Sequence, residues 1–180
     1  KIPYKPTPWL LGRHLQTIYG MKYRKKRLNY RREIFEFEDK GTSALDIFDP
    51  FPTKDSANDS QTNDHAPILL IIHTLAGGSR EPCSNNLAEA ARRKGYRAII
   101  FSNRGCSGVP FTSDRFYNVL WNDDNEAVYH YLKKKYEPSH FFVAGFSAGS
   151  CQAANFDIQK GELLDGVALI SHPYDIYVSS

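Results

Sequence analysis

The sequence has few cysteines and no long apolar run, and each shortage excludes a class of protein. Its three cysteines, Cys83, Cys106 and Cys151, lack the spacing of a disulfide framework or a metal site, which weakly favours a reducing compartment. No stretch has the length of a transmembrane helix or the pattern of a signal peptide. Because the chain begins at Lys1 and not at methionine, we expect residues upstream. The sequence therefore leaves a cytoplasmic and a membrane-associated location open.

The chain also has little net charge, +3, and the excess lies in one short segment. Seven basic residues fall between positions 22 and 32: Lys22, Arg24, Lys25, Lys26, Arg27, Arg31 and Arg32. No nucleic-acid-binding motif accompanies them, so we expect no nucleic-acid partner. Such a cluster is most often a solvated surface, and contact with anionic lipid headgroups is the functional alternative. The oligomeric state is not indicated.

What the chain does contain is enough apolar sequence, 41% of 180 residues, for one domain with a substantial core. Apolar runs predict buried strands at 67–73, 97–102, 141–144 and 166–170, and helices are predicted at 84–94, about 122–136 and 150–160. Alternating segments at 30–38 and 44–49 predict an antiparallel hairpin before them. The predicted fold class is therefore α/β, with a mostly parallel sheet and an N-terminal antiparallel hairpin.

The ends of this domain are predicted from composition. Residues 2–19 are rich in proline and then apolar, which indicates an extended arm and a short helix packed on the domain by Trp9 and Leu15. We accordingly divide the chain into an arm with the basic segment, residues 1–29, and the α/β unit, residues 30–180. Within the latter, residues 50–66 are polar and predict a surface loop. Asn122 and the two aspartates after it are expected to cap a helix and complement its dipole.

The most informative stretch is Gly145-Phe-Ser-Ala-Gly149, which follows a predicted strand and precedes a predicted helix. In that context Gly-x-Ser-x-Gly predicts a nucleophile elbow, a strained turn that projects the Ser147 hydroxyl from the edge of the sheet. Side chains at the two glycine positions would collide with the neighbouring strand and helix. Ser147 is therefore the candidate nucleophile.

An elbow serine needs an oxyanion hole, for which backbone N–H groups are the usual donors. The amide of Ala148, directly after the serine, is the first candidate. The second is the amide of Leu75, in the small-residue loop 73–79 that follows the first buried strand on the same rim of the sheet. His73 is expected to be structural, because chain order places the catalytic base after the serine. Arg104 is expected to tie loops together, and Cys106 to be a packed residue and not a reactive thiol.

With these residues placed, the sequence resembles the AB hydrolase 4 family of α/β-hydrolases, the YheT-like and embryogenesis-associated group. Five segments carry the resemblance: Pro8 to Leu10 with Gly12 to Ile18, then 73–79, Asn103 to Gly108, Gly145 to Gly149 and Ser171 to Asp175. The resemblance implies serine-dependent hydrolysis or transfer of acyl groups on acylglycerol, phospholipid or shorter esters. It also implies a small-molecule ester or lipid partner, no organic cofactor and no metal.

The chain departs from this family in three places. Thr74 replaces a glycine beside the expected oxyanion hole, which it is expected to narrow, and Ser150 replaces a second glycine after the elbow. In the family the catalytic aspartate and histidine follow later strands, so here they are expected beyond residue 180, along with the C-terminal strands of the sheet. Asp157, Asp165, Asp175 and His172 follow Ser147 but are poor substitutes, so residues 1–180 alone are expected to be nearly inert.

The sequence leaves three functions open. The first is a serine acyl-ester hydrolase of carboxylesterase or lipase type. The second is a truncated, non-catalytic protein that binds acyl lipid or a protein partner. The third is an acyltransferase that passes the acyl group from Ser147 to an alcohol.

Overall fold

The computed structural model describes residues 8–10, 12–23, 28–51 and 65–175. The predicted extended arm before Pro8 and most of the predicted polar loop lie outside these residues. So do the side chains of five members of the basic cluster, Lys22 and Arg24 to Arg27, whereas those of Arg31 and Arg32 are described. Within the described part of the chain, no helix is both long enough and apolar enough to cross a membrane.

Six strands of the described chain form one mixed sheet. They are β1 (Arg31–Glu36), β2 (Thr42–Phe48), β3 (Ile68–Ile72), β4 (Arg97–Ser102), β5 (Phe141–Phe146) and β6 (Gly166–Ile170). Their order across the sheet is β1-β2-β4-β3-β5-β6. The pairs β1–β2 and β2–β4 are antiparallel, and the remaining three pairs are parallel. The predicted α/β class, with an antiparallel hairpin ahead of a parallel sheet, is confirmed.

Helices cover both faces of this sheet. The described helices are α1 (Arg13–Tyr23), α2 (Pro82–Arg93), α3 (Asp123–Tyr136) and α4 (Ala148–Lys160), and a 3-10 turn, Gly161–Leu163, follows α4. Leu70 and Ile72 of β3 pack in the core that α3 and α4 share, whereas Ile71 packs in the core under α2. Because successive side chains of a strand point to opposite faces, a strand covered on both faces has to be apolar throughout. This explains the continuous apolar run of β3.

The N-terminal segment differs from its prediction. Trp9 is 72% exposed and Leu15 is 55% exposed, so the predicted packing of the segment through these two side chains is wrong. The helix itself is present, as α1. Apolar spacing indicates a helix with one apolar side but does not specify what covers that side. The boundary at residues 29 and 30 stays a prediction.

The start of α3 differs in one detail. Asn122 is at the N-cap position but its side chain makes no capping hydrogen bond. Its amide Nδ2 instead donates to the carbonyl oxygen of Asn155, at 2.9 Å, which ties α3 to α4. Acidic residues do occupy the first turn, namely Asp123, Asp124 and Glu126, and they complement the helix dipole as expected.

Strand β6 is the edge of the sheet in the described chain, and its side chains are partly exposed. Beside it runs an apolar groove of about 340 Å³ between α2 and the last two strands, lined by residues that include Leu69, Leu87, Phe142 and Ala168. An exposed apolar edge of this kind is typical of a sheet that continues with further strands, which the family resemblance leads us to expect beyond residue 180.

Arg104 joins three separate parts of the chain from a nearly fully buried position, with 3% of its side chain exposed. Its guanidinium donates two hydrogen bonds to Asp124 of α3, at 2.7 and 2.8 Å, and one to Asp39 in the β1–β2 turn, at 2.6 Å. The same group lies 4.1 Å from the ring centre of Phe37. These contacts confirm Arg104 as a residue that ties loops together, and the two carboxylates raise its pKa.

We expect Arg104→Met to lower the free energy of unfolding by about 3 kcal/mol, because it leaves two carboxylates without their shared cation and one of them, Asp124, is largely buried. Denaturant unfolding of the purified protein measures the change. Arg93→Met is the matched control, since the Arg93 side chain is 65% exposed and its partner Glu89 keeps a second cation, Arg92, at 4.0 Å; its loss should cost less than about 1 kcal/mol. Equal effects of the two substitutions would contradict the assigned role.

His73 joins the end of β3 to the end of β4. Its Nδ1 lies 2.5 Å from the carbonyl oxygen of Thr74 and therefore carries the proton, while Nε2 accepts the N–H of Asn103 at 3.2 Å. Both ring nitrogens are thus engaged in the neutral state, and the side chain is fully buried. Burial lowers the pKa of His73. The expectation of a structural histidine is confirmed by these contacts.

We expect His73 to make the protein less stable as the pH falls below about 6.5, the ordinary pKa of histidine. In that range the unfolded chain takes up a proton that native His73 does not, so the free energy of unfolding falls by at most about 1.4 kcal/mol per pH unit. Urea unfolding between pH 7.5 and 5 measures the slope, and His73→Gln should reduce it. The exposed His130→Gln serves as control. A slope that is the same in wild type and His73→Gln would refute the assignment.

Candidate active site

Ser147 lies between the end of β5 and the start of α4, with its side chain exposed. Its backbone has φ of 50° and ψ of −116°, a conformation that a non-glycine residue rarely adopts. The Ser147 N–H donates to the carbonyl oxygen of Ile170 in β6, at 3.0 Å, which holds the turn against the sheet. A strained, solvent-exposed serine at a strand-to-helix turn is the geometry that the Gly-x-Ser-x-Gly pattern predicts.

The two glycines of the pattern are required by close backbone contacts. A Cβ atom on Gly145 would lie 2.3 Å from the carbonyl oxygen of Gly149, and one on Gly149 would lie 2.3 Å from that of His73 and 2.4 Å from that of Ile72. No side chain fits at such distances. The predicted collision with the neighbouring strand and helix is therefore observed. The contact of Gly149 also places the first turn of α4 directly against the end of β3, where the second predicted loop begins.

That loop opens with a tight turn at Thr74. The carbonyl oxygen of Thr74 accepts the N–H of Gly77 at 3.1 Å and the Nδ1–H of His73, and Ala76 within the turn has a φ of 54°. The described chain has no cis peptide bond, so the N–H of Leu75 points away from the Thr74 carbonyl and its two donors. The turn's own hydrogen bond does not use this N–H. Leu75 is 72% exposed, so its side chain does not bury the amide beneath it.

Ala148 is the first residue of α4, so its N–H belongs to the first turn, whose amides have no partner within a helix. The positive end of the helix dipole lies at the same point. Because Gly149 contacts the end of β3, the amides of Ala148 and Leu75 belong to adjoining segments on one rim of the sheet. This arrangement is compatible with a shared oxyanion site, and their roles stay a prediction.

Two of the four candidate substitutes that follow Ser147 hydrogen-bond to other groups. His172 places Nδ1 2.9 Å from the hydroxyl oxygen of Ser150, and that hydroxyl donates to the carbonyl oxygen of Ser147. The Asp165 carboxylate accepts the N–H of Phe141 at 2.7 Å, at the end of β5 remote from Ser147. Asp157 is exposed on α4. Ser150 stands where the family has a second glycine, and through these contacts its hydroxyl braces the elbow.

The three cysteines have the character of packed thiols. Cys106 is buried, Cys83 and Cys151 are half-buried, and none of them is in a disulfide. Burial raises the pKa of all three thiols, which keeps them in the less reactive protonated form. No group of histidine, cysteine and carboxylate side chains in the described residues has the arrangement of a metal site.

Two groups next to the candidate site were missed in the sequence. Arg32 forms an ion pair with the fully buried Asp46 at 2.6 Å and donates to the carbonyl oxygen of Ser107 at 2.9 Å, so it braces the loop after β4. Glu81 receives hydrogen bonds from Thr74. Arg32 belonged to a basic cluster that predicts a solvated face, and Glu81 precedes the helix predicted at 84–94, where the sequence predicts no role for it. Neither pattern indicates which other segment of the chain the side chain contacts.

Large apolar side chains are exposed in the segment between β4 and α3: Phe111, Phe116, Leu120 and Trp121. Tyr117 in the same segment hydrogen-bonds to the backbone of Ala76, next to Leu75. The apolar segment therefore borders the loop of the candidate oxyanion site. Exposed apolar surface beside a candidate site is typical of a region that receives an apolar ligand.

The chain has curated relatives among α/β-hydrolases. It is 34% identical over 166 residues to an abhydrolase domain-containing protein of Dictyostelium discoideum, which is 89% of this chain and 40% of that protein. It is 29% identical over 154 residues to human phospholipase ABHD3, which is 85% of this chain and 37% of the relative. The chain thus spans about two fifths of the length of these relatives. They are consistent with the AB hydrolase 4 resemblance.

A solved structure and a family model agree on the fold. The esterase Pf2001 of Pyrococcus furiosus superposes with a TM-score of 0.63 at 18% identity, covering 84% of this chain and 53% of the esterase. The model of the alpha/beta hydrolase fold matches residues 67–176, more than half of the chain and a range that includes both Leu75 and Ser147. The chain therefore belongs to the α/β-hydrolase family, with esterases and lipases among its relatives.

Proposed function

We propose that this chain carries the nucleophile and the oxyanion hole of a serine acyl-ester hydrolase. Ser147 is the nucleophile, and the backbone amides of Leu75 and Ala148 receive the negative charge. The observation that carries the proposal is the backbone of Ser147, held at a positive φ with its side chain exposed, between two glycines that pack directly on other backbone. Such strain persists only where the surrounding structure enforces it, and it concentrates at functional sites.

The reaction proceeds in two halves. In the first, the Ser147 oxygen attacks the ester carbonyl, the carbonyl oxygen becomes an oxyanion facing the two amides, and the alcohol leaves with a proton. The acyl group stays on Ser147. In the second half, water attacks the same carbonyl carbon, the acid is released and Ser147 regains its proton. The base that moves these protons is a histidine held by an aspartate, both of which we expect beyond residue 180 from the family resemblance.

The substrates we propose are acylglycerol or phospholipid esters. A relative named as a phospholipase supports this class. So does the exposed apolar segment that borders the Leu75 loop, because an acyl chain needs apolar surface beside the ester group. Contact with a membrane surface fits the same substrates.

One observation, the exposed apolar segment beside the Leu75 loop, also fits a second candidate, a non-catalytic protein that binds an acyl lipid or a partner. Within the described residues after Ser147 the histidine is His172, and its Nδ1 contacts Ser150. Without a base, a serine hydroxyl is a poor nucleophile. A binding protein would retain the elbow and the apolar rim but would not form an acyl-enzyme.

We expect a fluorophosphonate probe to label the protein, expressed with whatever its gene encodes beyond residue 180, and Ser147→Ala to abolish the labelling. The probe reports an activated serine, because it reacts with the nucleophile in place of an ester. Gel fluorescence and mass spectrometry of the labelled peptide measure the result. Ser139→Ala removes another exposed serine, at the opposite end of β5, and should label like wild type. Labelling that survives Ser147→Ala, or a folded wild type that never labels, would refute the proposal.

We further expect the free acid to be the main product when water and ethanol compete for the acyl group. Ser147 is exposed in the described structure, so water, which far outnumbers ethanol, has direct access to the acyl-enzyme. Chromatography of the products from a medium-chain ester at several ethanol concentrations measures the partition. An ethyl ester that predominates at low ethanol would make acyl transfer, with the same Ser147, the better assignment.

A further inference from the structure

We infer that Glu81 is a positioning residue for the oxyanion hole, and that it acts by holding Thr74 so that the amide of Leu75 keeps its direction. The inference rests on the proposed function of that amide. Glu81 lies at the start of α2, eight residues from His73, and touches no group that would react.

The contacts of Glu81 converge on one residue of the loop. One carboxylate oxygen, Oε1, accepts the hydroxyl of Thr74, and the other, Oε2, accepts the backbone N–H of Thr74 at 3.4 Å. Ser84, one turn into α2, donates its hydroxyl to Oε2, also at 3.4 Å. The Glu81 backbone is itself fixed, because its N–H donates to the carbonyl oxygen of Gly78 at 3.1 Å. A carboxylate anchored to a helix therefore holds the residue that precedes Leu75.

The carboxylate also packs against the underside of the turn. A Cβ atom on Gly77 would lie 2.1 Å from Oε1 and 2.3 Å from Cδ of Glu81, so a glycine is needed there to admit the carboxylate. Thr74 and Gly77 are the two ends of the turn whose middle residues are Leu75 and Ala76. Glu81 thus contacts both ends of the turn.

The polar groups of Thr74 are held from two sides. The Glu81 carboxylate accepts hydrogen bonds from the backbone N–H and the hydroxyl of Thr74. The Nδ1–H of His73 and the N–H of Gly77 donate to the carbonyl oxygen of Thr74. That carbonyl and the N–H of Leu75 belong to the same planar peptide group, so fixing one fixes the direction of the other. Hydrogen bonds to the carbonyl also polarise the peptide and make the Leu75 N–H a better donor.

This arrangement changes the significance of Thr74. The family has a glycine at this position, and the threonine was expected to narrow the oxyanion hole. Its hydroxyl instead bonds to Glu81. A glycine could offer Glu81 only its N–H. In this chain the threonine therefore adds a second bond that stiffens the loop.

The kinetic experiment uses the full-length protein and p-nitrophenyl butyrate. We expect Glu81→Gln to lower kcat tenfold to a hundredfold with KM changed less than twofold, because a displaced oxyanion donor stabilises the transition state and not the bound ester. Glu89→Gln is the matched control, because Glu89 lies on the same helix but pairs with Arg92 and Arg93 and not with Thr74, and it should keep wild-type kcat. A Glu81→Gln kcat equal to that of Glu89→Gln would overturn the inference.

Substitutions at Thr74 test the route of the effect. We expect Thr74→Ser, which keeps the hydroxyl, to retain kcat within about threefold, and the isosteric Thr74→Val to lose at least tenfold. The double variant Thr74→Val with Glu81→Gln should lose no more than the larger single effect, because both substitutions break one contact. Thr74→Val at wild-type kcat, or fully multiplicative losses, would overturn the inference.

Amide hydrogen exchange tests the positioning without any need for catalysis. We expect Glu81→Ala, in a Ser147→Ala background, to exchange at least tenfold faster at the hydrogen-bonded amides of Thr74 and Gly77 while α3 and β5 exchange as before. If wild type neither labels nor hydrolyses, the proposed function fails and exchange alone decides whether Glu81 holds the loop. Unchanged exchange in both Glu81→Ala and Thr74→Val would overturn the inference. Should Glu81→Ala fail to fold, Thr74→Val gives the same comparison.

Discussion

The site depends on the direct backbone contact between α4 and β3. The Cα of Gly149 lies so close to the carbonyl oxygens of Ile72 and His73 that any side chain there would overlap them. This contact brings the start of α4, with the amides of its first turn and its positive dipole end, beside the loop that leaves β3. Without it, the serine turn and the Leu75 turn would be two unrelated connections on one rim.

Around that contact, polar side chains hold the rim in place. His73 joins the ends of β3 and β4, Arg104 joins the β1–β2 turn to α3, and Arg32 with Asp46 reaches the loop after β4. Each group engages backbone or carboxylates from segments far apart in the chain. Loops cannot support one another through apolar packing as strands do, so fixed hydrogen bonds and ion pairs position them.

Much of the fold and part of the site could be predicted from the sequence. The elbow and its glycines were predictable because strand, turn and helix are contiguous, so local pattern contains the whole geometry. The packing of Trp9 and Leu15 was not, since apolar spacing does not identify the surface that a segment meets, and both side chains are exposed. Asn122 was expected to cap its own helix but bonds to Asn155 of α4, a partner that no local pattern specifies.

By itself the sequence determined which segments form the strands and helices, the strained turn at Ser147 and the family resemblance, because periodicity and short motifs encode local backbone geometry. The tertiary structure alone decided which side chains support that serine and the loop beside it. The contacts of Glu81 with Thr74, of His172 with Ser150 and of Arg32 with the loop after β4 join segments between 7 and 75 residues apart. Such pairings follow from how the elements pack, and packing is a property of the whole chain and not of any one segment.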